Sequence, residues 1–334
     1  MIDFLFVTWL AKPLWMWLSF IAVVLVLLAF DLGVLHRHNR ALGLGESLLL
    51  SAFYVAVAMI FGGVIWWAYA RGLITTSDGS HAGMVFFTGY FLEKMLSVDN
   101  VFVISLIFGY FAIPRKYQYR ALLWGILAVI VLRGIMIGFG AALVQRYDWV
   151  LLIFGAFLVF TGLRMLFGEE REPDIAGNPV IRFMKRHMRV SDRLHGEKFF
   201  VREQDARSGR MVIVATPLFL ALAVINVADL IFAVDSVPAI FAITTDTYIV
   251  YTANIMAILG LRALYFALAA LVHRFDYLQY ALALVLVFIG AKVFWVHAFG
   301  KVDPAISLTV TLSILAGGVF FSLWKTARAG SSAP

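Results

Sequence analysis

The 334 residues are very apolar: hydrophobic residues make up 63% of the chain, charged residues make up 14%, and the mean hydropathy is +0.92. A soluble domain carries charge on about a quarter of its residues, so this composition excludes a water-soluble fold. The absence of cysteine excludes disulfides and thiolate metal sites within these residues. The net charge of +7 lies mainly in the loops between apolar segments, which favours membrane orientation over nucleic-acid binding as its explanation.

The apolar segments predict an all-α polytopic membrane protein with about nine transmembrane helices. Each segment approaches or exceeds the roughly 20 residues that a helix needs to cross the hydrocarbon layer. The first segment carries Asp3 and no clear small-residue cleavage site, so we predict a retained span and not a signal peptide. We place the spans at about 13–35, 47–70, 83–113, 120–144, 149–167, 211–243, 249–271, 277–296 and 305–324.

Lysine and arginine are distributed unevenly over the predicted loops. Eighteen of them follow odd-numbered spans, and four lie on the opposite side. Positive loops face the cytoplasm. We therefore predict a multi-pass protein of the bacterial inner (plasma) membrane, with its N-terminus outside and its C-terminus in the cytoplasm.

The longest polar segment, 168–210, is predicted to be a cytoplasmic loop with secondary structure of its own. Ile181, Met184 and Met188 recur at helical spacing with basic residues between them. This pattern predicts a short amphipathic helix on the anionic inner leaflet. Alternation between Lys198 and Val214 predicts a small β-hairpin.

A unit of three spans occurs twice in the chain. The matching segments are Glu93–Asn100 with Asp229–Ser236, Leu132-Arg133 with Leu261-Arg262, Ala142–Trp149 with Ala270–Tyr277, and Val159–Arg164 with Val287–Lys292. Because the unit has an odd number of spans, the repeats are predicted to have inverted topology, as in many secondary transporters. The predicted organisation is two N-terminal helices (1–82), the first repeat (83–167), the loop (168–210), the second repeat (211–296), and the last helix with the tail (297–334).

Two of the repeated spans carry acidic residues at membrane depth, where ionisable groups are costly and usually functional. The candidate metal ligands are Glu93, Asp99 and Asn100 on span three, with Asn226, Asp229, Asp235 and Ser236 on span six. Positions seven apart share a helix face, which groups Glu93 with Asn100 and Asp229 with Ser236. Asp99 and Asp235 fall to the side of these faces. They would turn inward if the helices unwound near them, and Pro238 favours such a break in span six.

An all-oxygen set of carboxylates, amides and hydroxyls suits a hard divalent cation such as Mg²⁺, Ca²⁺ or Mn²⁺. Carboxylates also take up protons when a metal leaves, which offers a route to proton-coupled exchange. Lys94, Arg133 and Arg262 are the candidate counter-charges. The alternative is that the acids only neutralise these bases, together with Arg164 and Lys292, in structural pairs.

Several other residues are predicted to be structural. His36-Arg37-His38 reads as an interfacial basic loop, and Asp31 before it either faces the helix bundle or caps a helix near the headgroups. Asp246 is predicted to cap span seven. Gly138 and Gly140, and the matching Gly162 and Gly290, are predicted to permit close helix packing.

Several long segments resemble the signatures of a known family. Phe87–Glu93 and Ser97–Phe102 resemble the first signature of the TerC/Alx family, and Thr216–Leu218, Asp229–Ala239 and Phe241–Asp246 resemble the second. The resemblance covers most of the chain and is strongest to the Alx branch.

This resemblance implies an integral membrane protein connected with tellurium resistance by name and with manganese export by function. It carries the acidic positions of the family onto Glu93, Asp99, Asp229 and Asp235, with Asn100 and Ser236 adjoining. Many members have glutamate where this chain has Asn226, so one ligand charge is missing here.

We therefore expect a secondary transporter that exports Mn²⁺ through a midplane site between the repeats in exchange for protons, with lipid as its surroundings, no nucleic-acid partner, no resident cofactor and no enzymatic activity. An aspartyl protease dyad is one alternative. The chain lacks the Gly-x-Gly-Asp arrangement that such enzymes resemble. The other alternative is a non-transporting scaffold or sensor in metal, tellurite or envelope stress resistance.

Overall fold

The computed structural model describes residues 7–9, 12–35, 43–72, 81–147, 149–167, 179–191, 193–204, 210–268, 278–300 and 302–330. The elements in these ranges are mostly long helices. In chain order they are β1 (Thr8–Trp9), β2 (Lys12–Pro13), α1 (Leu14–Leu35), α2 (Leu44–Ala70), α3 (Ala82–Tyr110), α4 (Arg115–Arg146), α5 (Trp149–Phe167), α6 (Pro179–His187), β3 (Phe200–Gln204), β4 (Met211–Ala215), α7 (Pro217–Phe241), α8 (Thr247–Leu259), α9 (Leu261–Leu268), α10 (Leu278–Phe299) and α11 (Pro304–Gly330). His36–His38, Asp148 and 270–277 fall outside the described ranges.

The predicted class, an all-α polytopic membrane protein, is confirmed. Within the described ranges seven helices are long and apolar enough to cross a membrane, and the bent pair α8–α9 makes an eighth if it forms one span. The predicted ninth span is α3, which has 29 residues. Every 18-residue stretch of α3 contains Glu93, Lys94 and Asp99, so its composition does not identify it as a span, and nine spans stays a prediction.

The predicted amphipathic helix and β-hairpin are present as α6 and the pair β3–β4. Strands β3 and β4 pair in antiparallel register from Phe200 with Ala215 to Gln204 with Met211. In α6, Ile181 and Met184 are buried in a cluster that includes residues of α7, so these two side chains contact protein and not lipid.

Span six begins later than predicted, because 211–215 is strand β4 and not helix. Thr216 then starts α7: its hydroxyl accepts a hydrogen bond from the Phe219 amide at 3.4 Å, and Pro217 occupies the first helical turn.

Ser191 donates to the Glu203 carboxylate at 2.7 Å in the adjoining hairpin, and this bond lowers the pKa of Glu203.

The break that Pro238 was expected to favour in span six is absent, and α3 and α7 are both continuous through the aspartates, so the condition for Asp99 and Asp235 to turn inward is not met. Pro238 lies inside α7, only three residues before the helix ends at Phe241. The chain breaks instead at Gly260, where α8 and α9 meet at a bend of 42°. The prediction that Asp246 caps the helix of span seven is confirmed. Its carboxylate accepts a hydrogen bond from the Tyr248 amide at 3.1 Å at the start of α8.

Helices α5 and α10 pack closely through small residues. A Cβ atom added to Gly162 would lie 2.7 Å from the Ala283 carbonyl oxygen, and one added to Gly290 would lie 2.6 Å from the Gly155 carbonyl oxygen. The two contacts are reciprocal, because 162 and 290, like 155 and 283, are 128 residues apart. They agree with the inverted repeat, which stays a prediction.

We expect Gly162→Leu to lower the free energy of unfolding by about 1–3 kcal/mol, the usual cost of overpacking a tight contact. The close packing predicted at Gly138 is absent among the described residues, since a Cβ atom there meets nothing within 4 Å, and Gly138→Leu is therefore the matched control. Thermal unfolding in detergent checks this. Equal melting temperatures for the two variants would contradict the assigned packing.

Candidate functional site

Four helices bring polar side chains together in the interior of the bundle. Glu93 and Asn100 come from α3, and Asp229 and Ser236 come from α7. Arg133 comes from α4 and Asn254 from α8. All six side chains are buried, and Glu93 and Asn254 have no exposed surface. We call these six residues the carboxylate cluster.

Arg133 lies at the centre of the carboxylate cluster. Its Nε and Nη2 atoms donate to the two carboxylate oxygens of Asp229 at 3.2 and 3.1 Å, which is the bidentate geometry of a strong ion pair. Its Nη1 atom contacts the Glu93 carboxylate and lies 3.2 Å from Ser236 Oγ and 3.1 Å from Asn254 Oδ1. One guanidinium therefore bridges carboxylates from two different helices.

Each carboxylate also accepts a hydrogen bond from an amide of the other predicted repeat. Asn254 Nδ2 donates to Glu93 at 3.0 Å, and Asn100 Nδ2 donates to Asp229 at 3.2 Å. Buried charges are tolerable only when they are paired and hydrogen-bonded. In the cluster each carboxylate has both the Arg133 guanidinium and an amide as hydrogen-bond partners.

Lys94, a predicted counter-charge, contacts the end of a helix. Its ammonium donates to the Ala257 carbonyl at 3.1 Å, close to the end of α8. The C-terminal end of a helix attracts a cation because its last carbonyls have no helical partner. Lys94 therefore stabilises the α8 terminus next to the bend at Gly260.

Arg262 also differs from its prediction as a counter-charge for the site acids. It pairs with Asp31 of α1, and both residues are buried. Asp31 thus faces the helix bundle, which was one of the two alternatives that the sequence left open for it.

Two predicted ligands on α7 lie apart from the cluster contacts. Asp235 faces α5, where it hydrogen-bonds to Thr161 and interacts with the charge of Arg164. Asp229 and Asp235 are six residues apart, so in a continuous helix they point about 120° away from each other. Asn226 donates to the Leu222 carbonyl at 3.0 Å, and its Oδ1 atom is buried without a partner in the described part of the chain.

Asp99 lies in α3, and its side chain is outside the described residues.

Asn254 is the cluster member that sequence reasoning missed. A signal was present, because it is an amide in the middle of an apolar span. Its partner Glu93 is 161 positions away, however, and only tertiary packing brings them together.

The chemistry of the cluster suits a hard cation. Its oxygen donors are two carboxylates, two amides and one hydroxyl, and ligands of these types bind Mg²⁺, Ca²⁺ and Mn²⁺ in proteins. No group of three or more His, Cys, Asp or Glu side chains forms a metal-binding cluster among the residues that the structure describes. A cation here would therefore depend on neutral oxygens and on displacement of the Arg133 guanidinium.

Comparison with known proteins identifies the family. The pattern of the family described as "Integral membrane protein TerC family" matches residues 78–330, which include every residue of the carboxylate cluster. The chain belongs to the TerC family. No solved structure matches it.

Three relatives of this TerC-family chain cover nearly all of its length. "Putative membrane-bound redox modulator Alx" of Escherichia coli (strain K12) is 42% identical over 317 residues, 94% of this chain and 95% of the relative. An "Uncharacterized membrane protein" of Rickettsia bellii is 42% identical over 307 residues, 92% and 96% of the two chains. An uncharacterized membrane protein of Myxococcus xanthus is 41% identical over 317 residues, 95% and 94% of the two chains. The resemblance to the Alx branch is thereby confirmed.

Proposed function

We propose that this TerC-family protein is a secondary transporter that exports a hard divalent cation, Mn²⁺ by preference, across the bacterial inner membrane in exchange for protons. The observation that carries this proposal is the meeting of one buried carboxylate from α3 and one from α7 on a single guanidinium. Glu93 and Asp229 together carry the two negative charges that neutralise one divalent ion.

Arg133 acts as the internal cation of the site when no metal is bound. It occupies the position between the carboxylates that an incoming ion would take, and it keeps two buried acids paired in the meantime. Metal binding requires the guanidinium to give up these contacts. When the metal leaves, the guanidinium balances the charge of one carboxylate and a proton balances the other, which couples the metal to protons.

A large cavity supports a route to the site from the predicted outer side. It has a volume of about 670 Å³ and lies among the ends of α3, α7, α10 and α11. Its lining includes His81, Thr88, Thr244 and Asp303. Thr88 is five residues before Glu93 on α3, which is about 7.5 Å along the helix axis.

The name of the Escherichia coli relative suggests a link to redox balance. This chain has no cysteine, so such a role would not use thiols of its own. Control of the manganese content of the cell would affect redox balance without any thiol in this protein. The second candidate function is a non-transporting scaffold or sensor, and the exposed apolar side chains of Met211 and Ile213 on the hairpin favour it as a partner surface.

The test is the manganese content of whole cells, measured by mass spectrometry after manganese loading. We expect the wild-type protein to lower the content several-fold relative to empty vector, and Glu93→Gln to behave like the vector. Glu203→Gln, in the exposed hairpin, is the control and should export normally. Equal contents for wild type and vector, with the protein present in the membrane, would contradict export and favour the scaffold.

A further inference from the structure

Arg262 lies in the first turn of α9, directly after the bend at Gly260, and it is only 1% exposed. Its Nη2 atom contacts the Asp31 carboxylate and also donates to the Asp31 carbonyl at 3.3 Å. The ring of Tyr119 lies 4.2 Å from its guanidinium carbon. These contacts connect α9 to α1 and to the start of α4.

Three of the five N–H donors of this guanidinium are unused within the described part of the chain. Among the described residues, neither Nε nor Nη1 of Arg262 has a hydrogen-bond partner, although both atoms are buried. Buried donors without partners are rare, because they lose their bonds to water without replacement. A residue with a purely structural role would be expected to use these donors.

Arg262 also lines a small cavity that reaches the carboxylate cluster. The walls are apolar except for Arg262, Asn100 and Asp229, and the volume is about 20 Å³. This space holds about one water molecule and is far too small for a hydrated metal ion. Arg262 therefore closes the space next to Asp229 on this side.

The cavity lies on the opposite side of the cluster from the large outer cavity. Asp31 is near the end of α1, and Tyr119 is near the start of α4. Both ends face the cytoplasm in the orientation that the charged loops predict. The outer cavity instead adjoins the start of α3 and the end of α7.

We propose that the Asp31–Arg262 pair is the inner gate of the transport path, with Arg262 as the residue that blocks it. This inference rests on the proposed function, because it assumes a path through the carboxylate cluster. While Asp31 holds Arg262, a positive charge and a filled space separate Asp229 from the cytoplasm. Release of the pair lets the first turn of α9 move at the Gly260 bend and opens the way to Asp229.

Accessibility of a single cysteine tests the gate, and the natural sequence suits this because it contains no cysteine. Ala228 lines the small cavity, and its replacement by cysteine is a small change. Inside-out membrane vesicles carrying Ala228→Cys are treated with a membrane-impermeant cationic methanethiosulfonate, and the labelling rate is measured. We expect slow labelling in the otherwise unchanged protein.

Arg262→Ala should accelerate labelling of Cys at position 228 at least about tenfold, since a closed gate leaves only a small fraction of molecules open. The double swap Asp31→Arg with Arg262→Asp should restore slow labelling. The matched control is Lys12→Ala, which breaks the other buried ion pair near α1, where Lys12 lies 2.8 Å from Asp246. This control should leave labelling slow, because that pair lies at the outer end.

Two outcomes would overturn the gate: unchanged labelling in Arg262→Ala, or equal acceleration in Lys12→Ala, which would indicate general loosening of α1. The readout does not depend on transport. Failure of manganese export with the expected labelling pattern would contradict the proposed cargo and leave the gate standing. Normal export with unchanged labelling would contradict the gate alone.

Discussion

Asp229→Asn should abolish manganese export, whereas Asp235→Asn should retain at least about half of it. Asp229 accepts two bonds from Arg133 and one from Asn100 inside the buried cluster. Its replacement removes one of the two charges that face the ion, and an interaction of this kind typically contributes several kcal/mol in a buried site. Asp235 faces Thr161 and Arg164 of α5 and contributes nothing to the cluster contacts.

The measurement is the initial rate of Mn²⁺ uptake into inside-out vesicles with an imposed proton gradient, at matched protein levels. Both substitutions are isosteric and both remove one carboxylate from α7, so each is a control for the other. The sequence placed both aspartates in the predicted ligand set, with Asp235 to the side of the shared face, and the structure shows that Asp235 faces α5. Equal loss of transport in the two variants would show that Asp235 belongs to the path and that our assignment of the site is wrong.

Arg133→Ala should destabilise the metal-free protein by about 3–5 kcal/mol, the usual cost of removing one partner from a buried ion pair. The substitution leaves the carboxylates of Glu93 and Asp229 close together without their shared cation. A bound divalent ion would replace that cation. We therefore expect Mn²⁺ to raise the melting temperature of the variant more than that of the wild type.

Thermal unfolding of purified protein in detergent, with and without MnCl₂, checks this second prediction. Mg²⁺ is the comparison ion, and Arg164→Ala is the control variant because Arg164 is exposed and lies beside Asp235 instead of the cluster. The control should lose little stability, and Mn²⁺ should raise its melting temperature no more than that of the wild type. A melting temperature of Arg133→Ala that Mn²⁺ leaves unchanged would contradict a metal site at these carboxylates.

Local helix geometry explains why part of the site was predictable. Glu93 with Asn100, and Asp229 with Ser236, are seven residues apart, and two turns of helix return to the same face whatever the rest of the protein does. The rarity of charge in apolar spans then marked these faces as sites. The amphipathic spacing of Ile181 and Met184 similarly predicted α6, but the expected contact of these two side chains with the lipid leaflet was wrong, because protein covers them.

Other features depend on relations that a single sequence does not contain. Whether α7 unwinds at Asp235 is a competition between the preference of Pro238 for a break and the packing of the whole helix, and packing prevailed. The bend went to Gly260, which lies against Lys94 and Tyr54 so closely that a Cβ atom there would lie 2.8 Å from Lys94 Nζ. Close approach between helices decided this position.

The sequence by itself determined the membrane class, the family resemblance, the acidic helices and the faces on which their polar residues lie, because composition and helical periodicity are local properties. Tertiary structure alone decided the ion-pair partners. Arg133 and Arg262 match in sequence, yet Arg133 joins Glu93 to Asp229 while Arg262 pairs with Asp31 of α1, a helix outside the predicted repeats. A buried charge is stabilised by whichever opposite charge packing brings within contact, and that distance is set by the fold and not by the spacing along the chain.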